Sequence, residues 1–295
     1  MKLCDVLRPL MRVFPRQSMA ILGYLGGGYA HDPVWKTVWP RYRCYFDRQL
    51  QCLMTADLAE WGGRSCYYWA RFYDVTHQTI LRKLLKPGDT YIDIGANVGY
   101  QSLYAALLVG PEGLVLSFEP NPSTYALLTS HIGINRVRHC RTFQIALSDS
   151  SGEAVLNQLE EHSGTSTMRP QATVLRSVRV PMERGDDVLK DVPFHGRAVM
   201  KIDVEGLELR VLQGLRETMG RLAAVSVEVT DEWLVQQGGS ALELYDFMRR
   251  AGFRPLLPNL RWKLGLFNPR LDLRLPVGPL PGQHDVLFVR EGELA

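Results

Sequence analysis

The sequence has little net charge and no cluster of basic residues. Its 34 lysines and arginines nearly balance 31 acidic residues, which leaves a formal net charge of +3. No lysine- or arginine-rich run is interleaved with aromatic residues, so the electrostatic footprint of a nucleic-acid-binding protein is missing. We therefore expect no nucleic-acid partner. Charged residues make up 22% and hydrophobic residues 46%, a composition that excludes extended disorder.

Cysteine is scarce, and its spacing matches no metal or redox motif. The five cysteines contain neither a CxxC pair nor a zinc-ligand spacing: Cys4, Cys44, Cys52, Cys66 and Cys140. We interpret them as reduced thiols of a cytosolic protein. A disulfide among the four in the N-terminal quarter is the alternative.

The N-terminal region has no apolar run long enough to span a bilayer. The stretch 19–30 is too short and too rich in glycine. Before it, apolar residues from Leu3 to Phe14 recur at helical spacing beside basic residues, which is typical of a segment that lies on a membrane surface. A helix packed on the main domain explains the same stripe, and we favour it. The predicted location is cytoplasmic, with membrane association as the alternative.

One strand-to-helix transition dominates the rest of the sequence. The run Thr90–Ile94 is β-branched and aromatic, and it is followed by a small-residue loop containing Gly95 and Gly99. Apolar residues then recur at helical spacing from Leu103 onward. Strand, loop and helix N-terminus bring backbone N–H groups to one point, which is how nucleoside-type cofactors are held.

The glycine spacing and one carboxylate narrow the choice of cofactor. The loop reads Gly95-x-x-x-Gly99 with Asn97 inside it, whereas dinucleotide folds use G-x-G-x-x-G. Asp93, at the strand end, would repel a pyrophosphate but would favour a ligand with an ammonium group and no phosphate. S-adenosylmethionine is such a ligand. A glycine-rich turn with no ligand is the alternative.

A second strand ends in another carboxylate. The apolar run Leu114–Phe118 is followed by Glu119, and Pro120 and Pro122 stop the strand and start a helix. Glu119 follows Asp93 at roughly the ~20-residue offset at which dinucleotide folds bind ribose hydroxyls. Taken alone, Glu119 would be read as a solvated charge.

A third strand leads into an acidic turn. The buried-looking run Ala198–Ile202 continues into Asp203-Val204-Glu205-Gly206, and a further strand ends at Glu228. Ligands of open α/β sheets bind outside the carboxyl ends of the strands, so we expect these carboxylates to face one crevice.

Four segments together resemble one family. DIGANVGY, SFEPNP, IALSDSSGE and MKIDVEGLEL, in this order, are similar to the FkbM-type class I S-adenosylmethionine-dependent methyltransferases, over roughly residues 81–252. The resemblance implies an α/β fold: a Rossmann-like, doubly wound, mostly parallel sheet with an antiparallel last strand. It implies methyl transfer to a hydroxyl of a sugar, glycolipid or polyketide, with no bound metal required. Its cofactor contacts would be Asp93, Gly95, Ala96, Asn97 and Gly99 on the methionine, Glu119 and Asn121 on the ribose, and Ala146 and Leu147 on the adenine, with Asp203 to Glu205 beside the reacting centre.

The regions outside this core are predicted more coarsely. Residues 1–75 form an N-terminal helical and aromatic extension that faces the acceptor or a membrane, and residues 76–295 form the methyltransferase domain. The aromatic-rich segment 35–73 lines the acceptor pocket or packs in the core. Two strands within 153–181 are inserted around a polar loop, and residues 259–283 form an irregular insertion before a final strand at 285–289.

Methyl transfer to an alcohol needs alignment and a base that removes the proton. Asp203 and Glu205 are the first candidates, Glu228 is the third, and His162 is a weaker one. Cofactor positioning is an equal alternative for Asp203. Asp203, Glu205 and Glu228 would also suit magnesium, as a less favoured metal-assisted alternative.

Two readings from other classes remain. One is a nicotinamide-dependent oxidoreductase, which the glycine spacing and Asp93 disfavour. The other is a noncatalytic binding module on the same fold, against which the four intact carboxylates argue.

Overall fold

The structure is a computed structural model that describes residues 37, 39–71, 74–159, 166–167, 174–261, 269–276, 280 and 282–293. The amphipathic segment, the stretch 19–30, Cys4 and His162 lie outside the described residues. The chain divides into two compact units, residues 1–79 with 260–271 and residues 80–259 with 272–295. Within the described residues, no helix has the length and apolar character needed to cross a bilayer.

The first unit contains a β-hairpin. Strands β1 (Tyr42–Asp47) and β2 (Cys52–Asp57) pair antiparallel, and the Asp47 carboxylate accepts the N–H groups of two turn residues. Inward positions such as Tyr45 are buried and outward positions such as Phe46 are exposed, the period of two expected of a half-buried strand. The helix α1 (Trp61–Trp69) follows. We expected a helical extension and did not predict the hairpin. The apolar–polar alternation of the hairpin covers only six residues in each strand.

The aromatic residues of this extension divide between core and surface. The buried ones are Tyr45, Tyr67, Tyr68 and Trp69, and the exposed ones are Trp39, Tyr42, Phe46 and Trp61. Trp35, Phe72 and Tyr73 lie outside the described residues. Core packing thus accounts for four of the described aromatic side chains, and a role in the acceptor pocket stays a prediction.

The remaining elements follow in chain order. The strands are β3 (Thr90–Ile94), β4 (Leu114–Phe118), β5 (Cys140–Phe143), β6 (Ala146–Ser148), β7 (Gly152–Leu159), β8 (Ser166–Thr167), β9 (Val174–Arg184), β10 (Ala198–Ile202), β11 (Ala224–Thr230), β12 (Phe253–Arg261), β13 (Arg270–Arg274) and β14 (Gln283–Arg290). The helices are α2 (Val75–Leu84), α3 (Tyr100–Val109), α4 (Pro122–Ile134), α5 (Gly185–Leu189), α6 (Glu208–Gln213), α7 (Asp231–Gln236) and α8 (Ala241–Arg250), with a 3-10 turn at Thr218–Arg221.

The largest sheet has the order β13-β12-β14-β11-β10-β3-β4-β5. Strands β11, β10, β3, β4 and β5 are parallel to one another, and β14 joins β11 antiparallel. This arrangement confirms the Rossmann-like, mostly parallel sheet with an antiparallel last strand. The expectation of an irregular insertion was wrong in part, since β13 lies within it and β12 extends into it. The apolar–polar alternation around Leu271 and Leu273 is the signal that was overlooked.

The predicted strand insertion forms a sheet of its own. Its order is β6-β9-β7-β8, in which β7 and β9 pair antiparallel. Strands β7 and β9 correspond to the two strands predicted within residues 153–181. Ala146 and Leu147 lie on β6, which pairs parallel with β9.

The two faces of the largest sheet differ in polarity. One face is apolar and packs into a buried core that includes Ile92, Met200 and Val225. The opposite face carries polar residues at matching positions, because Asp93 pairs with Ser117 and with Lys201. The pairing continues outward on both sides. We call this set the polar row: Thr142, Ser117, Asp93, Lys201 and Ser226.

The loop after β3 touches the turn after β10. Gly95 has a φ of +81°, and a Cβ atom there would lie 1.9 Å from the carbonyl oxygen of Asp203. The Asp203 N–H donates to the carbonyl of Ile94 over 3.0 Å, which fixes this approach. Only glycine allows the two chain segments to come so close.

This contact predicts a difference between two glycines of similar backbone conformation. Gly88 has a φ of +86° with open space around its would-be Cβ atom. We expect Gly88→Ala to cost about 1–2 kcal/mol from backbone strain alone. Gly95→Ala should cost at least ~2 kcal/mol more, because the main chain of Asp203 must move. Urea unfolding measures both, and equal losses would contradict the close approach.

Candidate active site

Several predicted site residues meet at the carboxyl edge of the parallel strands. Glu119 follows β4, Gly95 follows β3, Asp203 follows β10, and Glu228 lies near the end of β11. Each lies two residues beyond a member of the polar row and so belongs to the same face of the sheet. We call these four residues the edge row. Glu228 also lies opposite Asp285 on β14.

Asp93 lies beneath the edge row, with a side chain that is 0% exposed. Its Oδ2 accepts from Ser102 over 2.6 Å, and Ser102 accepts from Ser117 over 2.8 Å. No hydrogen-bond donor among the described residues reaches its Oδ1. Burial raises the pKa of Asp93, and the positive charge of Lys201 opposes this rise. The carboxylate therefore faces α3 and Lys201 and not solvent.

Backbone hydrogen bonds hold the small-residue loop. The N–H groups of Gly95 and Ala96 both donate to the carbonyl of Phe118, over 3.0 and 2.9 Å. Asn97 has a φ of +51°, a conformation that asparagine tolerates better than most residues. His131, which sequence reasoning missed, bonds the carbonyl of Val98 through Nδ1 at 2.8 Å.

Glu119 is held from two sides. Its Oε2 accepts the N–H of Asn97 and its Oε1 accepts the N–H of Asn121, each over 2.9 Å. Burial raises its pKa to about 7, although both N–H donors oppose the rise. The side-chain oxygen of Asn121 caps α4 by accepting the N–H groups of Ser123 and Thr124. Glu119 is thus a fixed hydrogen-bond acceptor beside the glycine loop.

Lys201 forms an ion pair with Asp203, and the sequence analysis did not foresee it. The lysine Nζ lies 2.9 Å from Asp203 Oδ2, and the lysine side chain is 9% exposed against 35% for the aspartate. Burial lowers the pKa of Lys201, but Asp203 and Asp93 outweigh that effect and raise it above its ordinary value. The only sequence signal was a charged residue inside the apolar strand AVMKI.

The acidic turn is held by a second residue that the sequence analysis did not single out. Glu208 is buried, and its Oε1 accepts the N–H groups of Val204 and Gly206 over 3.2 and 2.9 Å. Burial raises its pKa to about 7. Within this turn Glu205 has a φ of +59°. Glu208 therefore fixes the backbone that carries Asp203 and Glu205.

Glu228 lies in a negatively charged environment. Burial, and next the charge of Asp203, raise its pKa to about 9, and Glu205 and Asp285 add to the effect. The side-chain amide of Gln283 donates to Glu228 and opposes the rise. Burial and the neighbouring negative charges therefore favour the protonated form of Glu228.

The described part of the chain contains no ligand set for the magnesium ion of the metal-assisted alternative. No group of three or more histidine, cysteine, aspartate or glutamate side chains there is arranged to hold a metal ion. Asp203, Glu205 and Glu228 therefore do not form the three-ligand cluster of that alternative.

Ala146 and Leu147 are buried, at 5% exposure each. Their place on β6 does not test whether they contact the adenine of a cofactor, so the adenine assignment stays a prediction. The four described cysteines, Cys44, Cys52, Cys66 and Cys140, form no disulfide among the described residues.

A mostly parallel sheet with an antiparallel last strand, a glycine loop and carboxylates at the strand ends agrees with a class I methyltransferase fold. A family model, the Methyltransferase FkbM domain, matches residues 93–255, which is more than half of the chain. The chain therefore belongs to the FkbM methyltransferase family, and the resemblance seen in the four sequence segments is confirmed.

Several curated relatives are similar to part of this chain. Methyltransferase sdnD of Sordaria araneosa is 30% identical over 156 residues, covering 43% of this chain and 60% of that protein. The 31-O-demethyl-FK506 methyltransferase FkbM of Streptomyces tacrolimicus is 29% identical over 202 residues, covering 57% and 74%. Methyltransferase 1 of Beauveria bassiana is 29% identical, and the chain spans 59% of its length. The chain thus spans about three fifths of the length of two of these relatives.

One solved structure of the family was also compared. The methyltransferase FkbM of Methylobacillus flagellatus aligns with a TM-score of 0.41 at 12% identity, covering 87% of this chain and 58% of that one. The strand order and register described above identify the fold.

The buried carboxyl of Glu208 predicts a pH dependence of stability. Its pKa is raised from 4.5 to about 7, so between these values the folded state binds more protons than the unfolded state. Stability should therefore fall as pH rises through this window. Glu208→Gln, which resembles the protonated acid, should remove about 1–3 kcal/mol of this fall, since one pKa unit corresponds to roughly 1.4 kcal/mol.

The measurement is the free energy of unfolding at pH 5 and pH 8. Glu112→Gln, at an exposed position, is the matched control and should leave the pH dependence unchanged. An unaltered slope in Glu208→Gln would show that Glu208 does not titrate in this range.

Proposed function

We propose that the chain is an S-adenosylmethionine-dependent O-methyltransferase that acts on a hydroxyl of a glycan or another small molecule. Family membership supports methyl transfer. The names of three relatives support oxygen or sugar acceptors for those proteins: 31-O-demethyl-FK506 methyltransferase FkbM, hexuronic acid methyltransferase AglP of Haloferax volcanii and 2-O-methyltransferase NoeI of Sinorhizobium fredii. That this chain also methylates such an acceptor is part of the same proposal.

Glu119 is the observation that carries the cofactor assignment. Its carboxylate lies at the end of β4 beside the glycine loop, and the N–H groups of Asn97 and Asn121 fix both oxygens. Each carboxylate oxygen can accept more than one hydrogen bond, so two ribose hydroxyls can still donate to it. A pyrophosphate at this edge would instead meet Glu119 and Asp203 as like charges.

The remaining parts of S-adenosylmethionine fit the neighbouring residues. The missing side chain at Gly95 keeps the loop close to Asp203, where a Cβ atom would lie 1.9 Å from the carbonyl oxygen. In this proposal the loop residues Gly95 to Gly99 hold the methionine portion. Asp93 contributes its negative charge from beneath the loop, which favours the ammonium and sulfonium groups of the ligand.

When bound, S-adenosylmethionine supplies a methyl group on a positively charged sulfur. The chain must then orient an acceptor hydroxyl and take its proton. A positioned base contributes ~10²–10⁴-fold to such a reaction. Asp203 and Glu205 are the proposed bases because both lie in the turn after β10, which Glu208 holds rigidly. Asp203 is in addition fixed by Lys201.

Two experiments test the proposed function. Calorimetric titration should show one-to-one binding of S-adenosylmethionine and none of NAD. Transfer of a radiolabelled methyl group should then occur to at least one acceptor in a panel of sugars, glycolipids and polyketides. Binding of NAD alone would support the oxidoreductase alternative, and binding of S-adenosylmethionine without transfer to any acceptor would support a noncatalytic module.

Glu119 predicts both the strength of cofactor binding and its pH dependence. Glu119→Ala should weaken S-adenosylmethionine binding by roughly 1–3 kcal/mol, the scale of hydrogen bonds to a charged group. Ribose hydroxyls donate to the ionised carboxylate, whose pKa in the free chain is about 7. Wild-type affinity should therefore fall below pH 7, by at most about tenfold per pH unit.

Calorimetry between pH 5 and pH 8 measures both effects, with Glu112→Ala as the exposed control. Unchanged affinity in Glu119→Ala would remove the ribose assignment. A wild-type affinity that does not change with pH would mean that the ligand leaves the protonation of Glu119 untouched.

The amide variants of the acidic turn identify the base. Asp203→Asn or Glu205→Gln should lower kcat by ~10²–10⁴ and leave cofactor affinity within a few-fold if the altered carboxylate is the base. Loss of cofactor binding would instead assign that carboxylate to positioning. Should both variants keep a near-normal kcat, the base lies elsewhere, and Glu228 and His162 are the next candidates.

A further inference from the structure

Lys201 is a charged residue in an interior strand of the parallel part of the sheet. It lies on β10 between β3 and β11, and the whole residue is 7% exposed. Its Nζ atom lies 2.9 Å from Asp203 Oδ2. Burying an ammonium group costs free energy that its partners must offset, and a methionine would fill a similar volume without that cost. Packing alone therefore does not account for a lysine at this position.

The neighbours of Lys201 show which charges it balances. The register places Asp93 beside it on β3 and Ser226 beside it on β11. Its pKa is affected by Asp203, Asp93 and Glu228, all of which favour the charged ammonium. One buried cation thus lies below the edge row, in contact with Asp203 and under the electrostatic influence of Asp93 and Glu228.

The contact with Asp203 has a direct consequence for the reacting edge. Asp203 is the partly exposed member of the pair, with a side chain that is 35% exposed, whereas Lys201 is buried. The ion pair with the buried lysine therefore restricts the orientation of the more exposed Asp203 side chain. An ammonium at hydrogen-bond distance also favours the ionised form of a carboxylate over the protonated form.

We propose that Lys201 is a positioning residue for methyl transfer: its buried ammonium orients Asp203 at the edge row and favours the ionised form of that carboxylate. This inference rests on the proposed function. Lys201 itself does not touch the acceptor in this account, and it acts through Asp203.

The first test needs no acceptor. Without the cation, one of the carboxylates that it influences, Asp93, Asp203 or Glu228, should take up a proton more readily in the folded state. Stability then falls more steeply with rising pH than in the wild type, because the folded state binds more protons than the unfolded state. The loss of stability in Lys201→Met should therefore be larger at pH 8 than at pH 5. The unfolding equilibrium constant should change by up to about tenfold per pH unit relative to wild type, the slope of one proton.

Three companion variants make this test specific. Lys201→Arg keeps the charge and should retain the wild-type slope. Lys201→Gln removes the charge but keeps a hydrogen-bond donor, and it replaces Lys201→Met if the latter does not fold. Ser226→Ala alters the neighbouring position of the polar row, where the buried hydroxyl has no hydrogen-bond partner among the described residues, and it should leave the slope unchanged.

The second test uses S-adenosylmethionine and an acceptor from the transfer screen. Lys201→Met should keep the Kd for S-adenosylmethionine within a few-fold and lower kcat by at least tenfold. The pH below which kcat of this variant falls should also rise by roughly 1–3 units, because a nearby opposite charge shifts a pKa by this amount. Lys201→Arg should restore most of the loss.

The outcomes separate this inference from the proposed function. A pH-independent loss of stability, or a kcat profile with the wild-type acid side, would overturn the role of Lys201 while the wild type still binds and transfers. A wild type that neither binds S-adenosylmethionine nor transfers a methyl group would refute the proposed function, and the inference would fall with it.

Discussion

The turn after β3 and the turn after β10 meet at Gly95, whose lack of a side chain leaves room for the carbonyl group of Asp203. The hydrogen bond from Asp203 N–H to the carbonyl of Ile94 holds the two segments together. All other features of the candidate site depend on this contact. It places the glycine loop, which binds Glu119 through the N–H of Asn97, beside the acidic turn that Glu208 holds. Parallel strands alone would bring these segments to one edge but would not bring them into contact.

Charge balance is the second constraint on the site. The edge carries several carboxylates, and burial, followed by the negative charge of Asp203, raises the pKa of Glu228 to about 9. Lys201 offsets part of this charge from below, within hydrogen-bond distance of Asp203. A site with excess negative charge suits a cationic cofactor and disfavours phosphates. The same electrostatics would favour the proposed S-adenosylmethionine over a dinucleotide, and it explains a buried lysine in a sheet strand.

Local patterns allowed the strands that carry the site to be predicted. The runs that become β3, β4 and β10 are mostly apolar and are followed within four residues by glycine or proline, so strand ends and loop carboxylates could be read directly. Lys201 and Glu208 escaped notice because their importance depends on register and on the fold of a turn, which one sequence does not reveal. The hairpin and β13 were missed for another reason: an alternation of five or six residues is too short to stand out.

The most direct measurement is a crystal structure of the chain with bound S-adenosylhomocysteine. The account predicts both ribose hydroxyls within hydrogen-bond distance of the Glu119 carboxylate, the amino acid portion against the loop from Gly95 to Gly99, and the sulfur facing the turn that carries Asp203. A ligand bound elsewhere, or a ribose turned away from Glu119 at this edge, would contradict the assignment of the carboxyl edge as the cofactor site.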